Sequence, residues 1–166
     1  MPTAIIPYFI PKGQNAYTMF QEYERLANDG CSVSTYNLAN CYLFGQGVKQ
    51  NSELAVHLLT ELAEFGDVEA LNNLALCYKM GLGVKQNVGF ARDLLLSAAE
   101  KGHARSQYNL GSLYLHLHKN KITLVPNDDF DYFENGMAYM EVAAFNGHVG
   151  AHDYLIFHKL NNLSAV

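Results

Sequence analysis

The sequence predicts an all-α chain, a solenoid of stacked helix pairs. Three observations carry that reading. The stretch NLANCYLFGQGVKQN, Asn37 to Asn51, returns as NLALCYKMGLGVKQN, Asn73 to Asn87, and the windows 31–66 and 67–102 share 17 identities in 36 positions. Self-similarity at a period of that size marks a repeat architecture. Apolar residues between the turns fall at helical spacing. Glycines punctuate at matching places, Gly45 and Gly47 then Gly66, Gly81 and Gly83 then Gly102. Residues shared by the copies are expected to be scaffold, so function is sought where equivalent positions differ.

The first 14 residues hold Pro2, Pro7 and Pro11 and no basic start. They read as an extended arm over the first helix rather than a signal peptide. From residue 15, Met19, Tyr23, Leu26 and Ala27 form one helical stripe closed by Gly30, the second helix of a pair without its first. A full pair follows. Ser32 to Phe44 carries Leu38, Cys41 and Tyr42. Ser52 is the expected N-cap of a second helix whose buried face is Ala55, Leu58, Leu59, Leu62 and Ala63. The pair repeats over 67–102.

The third copy, 103–147, begins in register at Asn109, Leu110 and Tyr114 and then departs. LHLHKNKITLVPNDDFDYFEN stands in place of the Gly-x-Gly-Val turn, an insertion of nine residues. Asn127 is the expected N-cap of the helix beyond it. A last helix over 149–160 keeps Leu155 in register but has Lys159 at the tyrosine position. It reads as a capping helix with a polar outer face, leaving 161–166 as a tail.

These residues resemble the Sel1-like repeat, a relative of the tetratricopeptide repeat. The matching positions are Ser34, Leu38, Ala39, Tyr42, Gly45, Gly47, Val48, Ala55, Ala63 and Gly66, then Ala70, Leu74, Ala75, Tyr78, Gly81, Gly83, Val84, Ala91, Ala99 and Gly102. Ser106, Leu110, Gly111, Tyr114, Ala143, Ala144 and Gly147 give the third copy. The turn asparagines Asn51 and Asn87 stand where that family usually has an acid. The resemblance implies a right-handed superhelix of about three and a half helix pairs over 15–160 that binds other proteins, as an adaptor or as an immunity protein beside a bacterial toxin.

Charge and composition narrow the partner. A net charge of −5 argues against a general nucleic-acid binder or adsorption to anionic membranes, and favours a basic protein partner. Cys31, Cys41 and Cys77 lack metal or redox spacing, so reduced thiols in a cytoplasmic protein are expected. His116-x-His118 and His148-x3-His152 complete no metalloprotease signature. GQGV and GLGV follow helices and lack the Lys-Ser/Thr of a phosphate loop. The expectation is no cofactor, no metal and no catalysis, with a hydrolase as the remote alternative, in a monomer or weak homodimer.

Binding is expected on the first helix of each pair, where positions off the Leu/Tyr stripe vary. They are Val33, Tyr36, Asn37, Asn40, Leu43 and Phe44, then Glu69, Asn72, Asn73, Leu76, Lys79 and Met80, then Arg105, Tyr108, Asn109, Ser112, Leu115 and His116. Tyrosines, amides and apolar groups together suit an interface. Asn37, Asn73 and Asn109 recur in every copy, either to clamp a bound backbone or to tie neighbouring helices together. The insertion offers a second surface. Asp128, Asp129 and Asp131 around Phe130 and Tyr132 suit a basic partner, although acids in a first helical turn also serve the helix dipole.

Overall fold

The computed structural model describes residues 15–124 and 130–163, with backbone alone at 162 and 163. The expected arm and Asn127, Asp128 and Asp129 lie outside the described residues. Those residues form eight helices and no strand: α1 (Ala16–Asn28), α2 (Ser32–Phe44), α3 (Ser52–Glu64), α4 (Val68–Met80), α5 (Val88–Glu100), α6 (Ala104–Lys119), α7 (Tyr132–Phe145) and α8 (Val149–Leu163). Each packs chiefly on its neighbours in the chain. The core is therefore a row of clusters along the stack, from Phe20, Leu38 and Cys41 at one end to Met140, Ala143 and Ala151 at the other.

The pair-to-pair turns share one design. At Gly66 the backbone is left-handed, its N–H donates to the Ala63 carbonyl at 2.9 Å, and the Asp67 N–H reaches the Leu62 carbonyl at 3.2 Å. This double closure satisfies carbonyls that the last helical turn leaves open. It recurs after α1, α5 and α7, at Gly30, Gly102 and Gly147.

Within a pair, the two glycines do different work. Gly45 and Gly81 terminate α2 and α4 in the left-handed conformation. Gly47 and Gly83 are also left-handed, but they mark close approach as well. A Cβ on Gly83 would sit 2.3 Å from the Ser52 carbonyl oxygen, and one on Gly47 would sit 2.1 Å from that of Ala16. Each turn thus rests on the first turn of the preceding second helix. The Gly-x-Gly spacing is a stacking contact as well as a helix stop.

The N-caps correct two expectations. Asn51, not Ser52, caps α3, its Oδ1 accepting the Leu54 N–H at 3.1 Å, and Asn87 caps α5 by the same bond to Phe90. Asn and Ser are comparable caps, and the turn bond from the Asn51 N–H to the Tyr42 carbonyl sets Asn51 one residue ahead of the helix. Asp131, not Asn127, caps α7, accepting from Phe133 and Glu134 at 2.9 and 2.8 Å.

In the third pair α6 runs on to Lys119, ending with Lys121 at φ +54. Its crossing with α7 is tight. Gly111 and Gly136 replace the small residues of earlier copies, and a Cβ on Gly111 would lie 2.9 Å from the Gly136 carbonyl oxygen. The two ends of the insertion are joined by the Tyr132 hydroxyl, which accepts the Leu124 N–H at 3.0 Å.

A further correction concerns α8. The helix continues through 161–163, read from the sequence as tail. Its outer face is mixed rather than polar throughout: Ile156, Phe157 and Leu160 are exposed beside His152, Asp153 and Lys159.

Candidate protein-binding surface

The first helices of the three pairs, α2, α4 and α6, are stitched together by amides. Asn73 Nδ2 donates to Asn40 Oδ1 at 2.9 Å and to the Tyr36 hydroxyl at 3.0 Å. Asn109 Nδ2 donates to Asn72 Oδ1 at 2.8 Å, and the Ser106 hydroxyl reaches the same oxygen at 3.2 Å. Asn72 Nδ2 donates to Asn73 Oδ1 at 3.3 Å, linking the two halves. The recurring asparagines thus tie neighbouring repeats. Asn37, the first of them, is buried, and its Oδ1 has no partner among the described residues. Its neighbour is Tyr36, where Asn73 has the amide of Asn72.

Beside this ladder lies a charged knot. Glu69 receives Arg105 Nη1 at 3.0 Å and lies 3.2 Å from His103 Nε2, while His103 Nδ1 is 2.8 Å from the Ser106 hydroxyl. The hydrogen bond from His103, followed by the charges of Arg105 and His103, holds the Glu69 carboxyl below its ordinary value against the opposing effect of burial. Further along, Tyr108 stacks on His148 with ring centroids 4.2 Å apart. Burial and the nearby Arg105 push the His148 imidazole below its ordinary value.

The expected binding residues therefore divide. Asn37, Asn40 and Asn72 are buried, as is Leu43. Their side chains lie between the helices and offer a partner little surface. Tyr36, Asn73, Lys79, Arg105, Tyr108, Asn109 and Ser112 are half-buried along the same side, and Val33, Met80 and His116 are exposed. Lys79 sits deep enough that burial lowers its ammonium pKa.

The insertion divides too. Tyr132 is buried against Tyr114, whose own phenol is pushed up to about 12 by burial. Phe130 packs on both rings at centroid distances of 5.0 and 4.9 Å. Asp131 is engaged as the cap of α7. Tyr132 and Asp131 are thus structural here, a role the pattern of acids and aromatics does not distinguish from a docking motif.

One surface was missed from the sequence. Phe65 and Phe145 are each 91% exposed and Val149 is also exposed, and all three flank turns that join one pair to the next. The signal was present as an aromatic one or two residues before a closing glycine, Phe65 before Gly66 and Phe145 before Gly147.

Among the described residues, no group of three or more His, Cys, Asp or Glu is placed to hold a metal ion. The His148 ring instead accepts the Ala151 N–H through Nδ1 at 3.2 Å and stacks on Tyr108. No described helix is long and apolar enough to cross a membrane.

Stacked helix pairs joined by an amide ladder define an α-helical repeat solenoid. The Sel1 repeat model matches residues 32–67, 68–103 and 104–118, and the chain belongs to the Sel1 repeat family. That family is generally a non-catalytic protein-interaction module. The third match stops where α6 overruns the turn.

Among solved structures, a protective antigen present in uropathogenic Escherichia coli strains and displaying an SLR fold is 25% identical with a TM-score of 0.71, over 88% of this chain and 30% of that one. A Sel1 repeat protein from Oxalobacter formigenes is 26% identical with a TM-score of 0.65, over 82% and 51%. An immunity protein from Pseudomonas aeruginosa is 22% identical with a TM-score of 0.58, over 85% and 50%, a likeness of fold alone. The chain spans about half or less of the length of each. No curated protein matches it.

Proposed function

We propose that this chain is a non-catalytic binding module that holds a protein partner on the side formed by α2, α4 and α6. The observation that carries the reading is the arrangement on that side. The amide ladder fixes the three helices against one another, and Met80, Leu76, Tyr108, Asn109 and His116 stand around it as a mixed apolar and polar surface. A rigid surface of that composition binds with little ordering cost.

The form of this reading we favour is an inhibitor or immunity protein that occludes a basic toxin or effector domain. The net charge of −5 supports a basic partner, with Asp128 and Asp129 of the insertion contributing to the attraction. The immunity protein from Pseudomonas aeruginosa supports it only by sharing the fold. A second reading, an adaptor joining two proteins, is favoured by the exposed rings of Phe65 and Phe145.

The test is co-purification of partners with the wild-type chain, the Met80→Glu/His116→Glu variant, and the Asp128→Ala/Asp129→Ala variant. The proposal expects one basic protein whose recovery falls at least tenfold in the first variant and several-fold in the second. Equal recovery across all three would sink it. Two partners lost separately, one to Met80→Glu/His116→Glu and one to Phe65→Ser/Phe145→Ser, would select the adaptor.

A further inference from the structure

The negative charge of the chain is not spread evenly over the solenoid. The second helices of the pairs, α1, α3, α5 and α7, carry nine acids against Arg25 and Arg92. The first helices differ. α2 has no charged residue, and α4 and α6 together have one acid, Glu69, with Lys79, Arg105 and Lys119. Both Glu69 oxygens are engaged, one by Arg105 at 3.0 Å and one by His103 at 3.2 Å. The helices α2, α4 and α6 therefore offer no free carboxylate.

Lys79 is a cation at an apolar position of that surface. Leu43 and Leu115 hold its place in the other two copies. The backbones correspond: Gln50 Nε2 donates to the Leu43 carbonyl at 2.9 Å, and Gln86 Nε2 to the Lys79 carbonyl at 2.8 Å. Leu43 is buried, and Leu115 and Lys79 are half-buried. The lysine stem thus fills a leucine site while its ammonium reaches outward. Among the described residues that ammonium has no ion pair. Burial lowers its pKa with no carboxylate opposing the effect.

Helix termination does not account for the lysine. A cation in the last turn favours the helix dipole, yet the carbonyls at the end of α4 are already taken. Gly81 and Leu82 donate to that of Cys77, Asn87 to that of Tyr78 and Gln86 to that of Lys79. The end of α2 closes with the same bonds around Leu43 and without a cation.

We infer that the partner proposed above seats an aspartate or glutamate side chain on Lys79. The contact rests on the reading of α2, α4 and α6 as the binding side and names its chemistry. A partner that covers Leu76 and Met80 covers Lys79 between them, and strips water from an ammonium that is already partly desolvated. Burying an unpaired charge is costly, whereas a carboxylate placed against it offsets that cost and adds a charge-assisted hydrogen bond. The contact is local, so it suits a partner that is basic overall and drawn in by the acids of the other helices. A side chain is favoured over a chain terminus by the place of α4. It is the middle of the three helices, so a segment crossing the stack runs past Lys79 in both directions.

The experiment selects random twelve-residue peptides displayed on phage against the wild-type chain, Lys79→Leu and Met80→Glu/His116→Glu. Wild type should enrich Asp or Glu at one position, beside an apolar residue, at least about fivefold over the starting library. Lys79→Leu should lose that preference. For a selected peptide made with an amidated C-terminus, replacing the acid by its amide should weaken binding to wild type at least about tenfold, and to Lys79→Leu less than about twofold. Leucine is the residue of both other copies, so Lys79→Leu should fold and melt no lower than wild type. A structural role for the lysine would lower that melting temperature and overturn the inference. So would an equal cost of the acid-to-amide change in the two proteins, or binding that requires a free C-terminus. Peptides without acid preference that Met80→Glu/His116→Glu fails to bind would overturn the contact at Lys79 and leave the binding side standing. Peptides bound equally by wild type and Met80→Glu/His116→Glu would overturn the binding side and the contact with it.

Discussion

The Asn73 side-chain amide of α4 lies 2.9 Å from the Asn40 carbonyl oxygen of α2, joining two repeats through buried or half-buried side chains. Removing one partner strands the other, and an unsatisfied buried polar group costs about 1–3 kcal/mol. Asn73→Ala should therefore lower stability by about that amount in chemical denaturation. In a double-mutant cycle with Asn40→Ala the pair should show coupling above about 0.5 kcal/mol. Additive effects would mean that the bond does not hold the repeats together.

The two kinds of glycine should separate by substitution. Gly102→Ala meets open space, so its cost is that of a left-handed Cβ, about 1–2 kcal/mol. Gly83→Ala carries the same strain and also drives a methyl into the backbone at Ser52. It should cost about 1–3 kcal/mol more. Gly66→Val, at φ +79, should cost about 1 kcal/mol or more for the same backbone reason. Thermal melts of the three variants check the order, and equal losses for Gly83→Ala and Gly102→Ala would refute the stacking contact.

These glycines show how much of the fold was legible. The ends of α2 and α4 follow directly from the repeated spacing, because each helix needs a left-handed stop. The second role of Gly47 and Gly83 was not legible, since it depends on which earlier backbone lies beneath the turn. The side formed by α2, α4 and α6 was half legible. The variable positions of α2, α4 and α6 do share a side, but helical spacing cannot tell which flank the next repeat covers, and Asn40 and Asn72 fall on that flank. The α8 face was misread because Lys159 at a tyrosine position suggested polarity. The exposed side carries Ile156, Phe157 and Leu160 as well as Lys159.

Acidification should weaken the charged knot and the seat of α8. Both Glu69 and His148 have folded-state pKa values below their ordinary ones. A group depressed in this way contributes stability above its unfolded value and loses it as pH falls through the folded one. His148 therefore predicts a loss beginning below about pH 6.5, and Glu69 a second loss beginning below about pH 4.3. In urea midpoints measured from pH 8 to 3, His148→Phe should flatten the upper step and Glu69→Gln the lower. An upper step that survives His148→Phe would assign it to another group.

Thiol reactivity should follow position. Burial pushes the Cys77 thiol up to about 11 and raises that of Cys41. A hydrogen bond from the Ser34 hydroxyl instead lowers that of half-buried Cys31. Thiolate is the reactive form. Native alkylation at pH 8, read by mass spectrometry, should modify Cys31 first, with Cys41 and Cys77 reacting only on unfolding. Early modification of Cys77 would contradict its packing.

The central claim is that the side formed by α2, α4 and α6 holds the partner. Hydrogen exchange of the chain with and without its co-purified partner tests it most directly. The account predicts added protection in α4 and α6 around Leu76–Met80 and Tyr108–His116. Protection confined to the turns at Phe65 and Phe145, with none on α4 or α6, would contradict it.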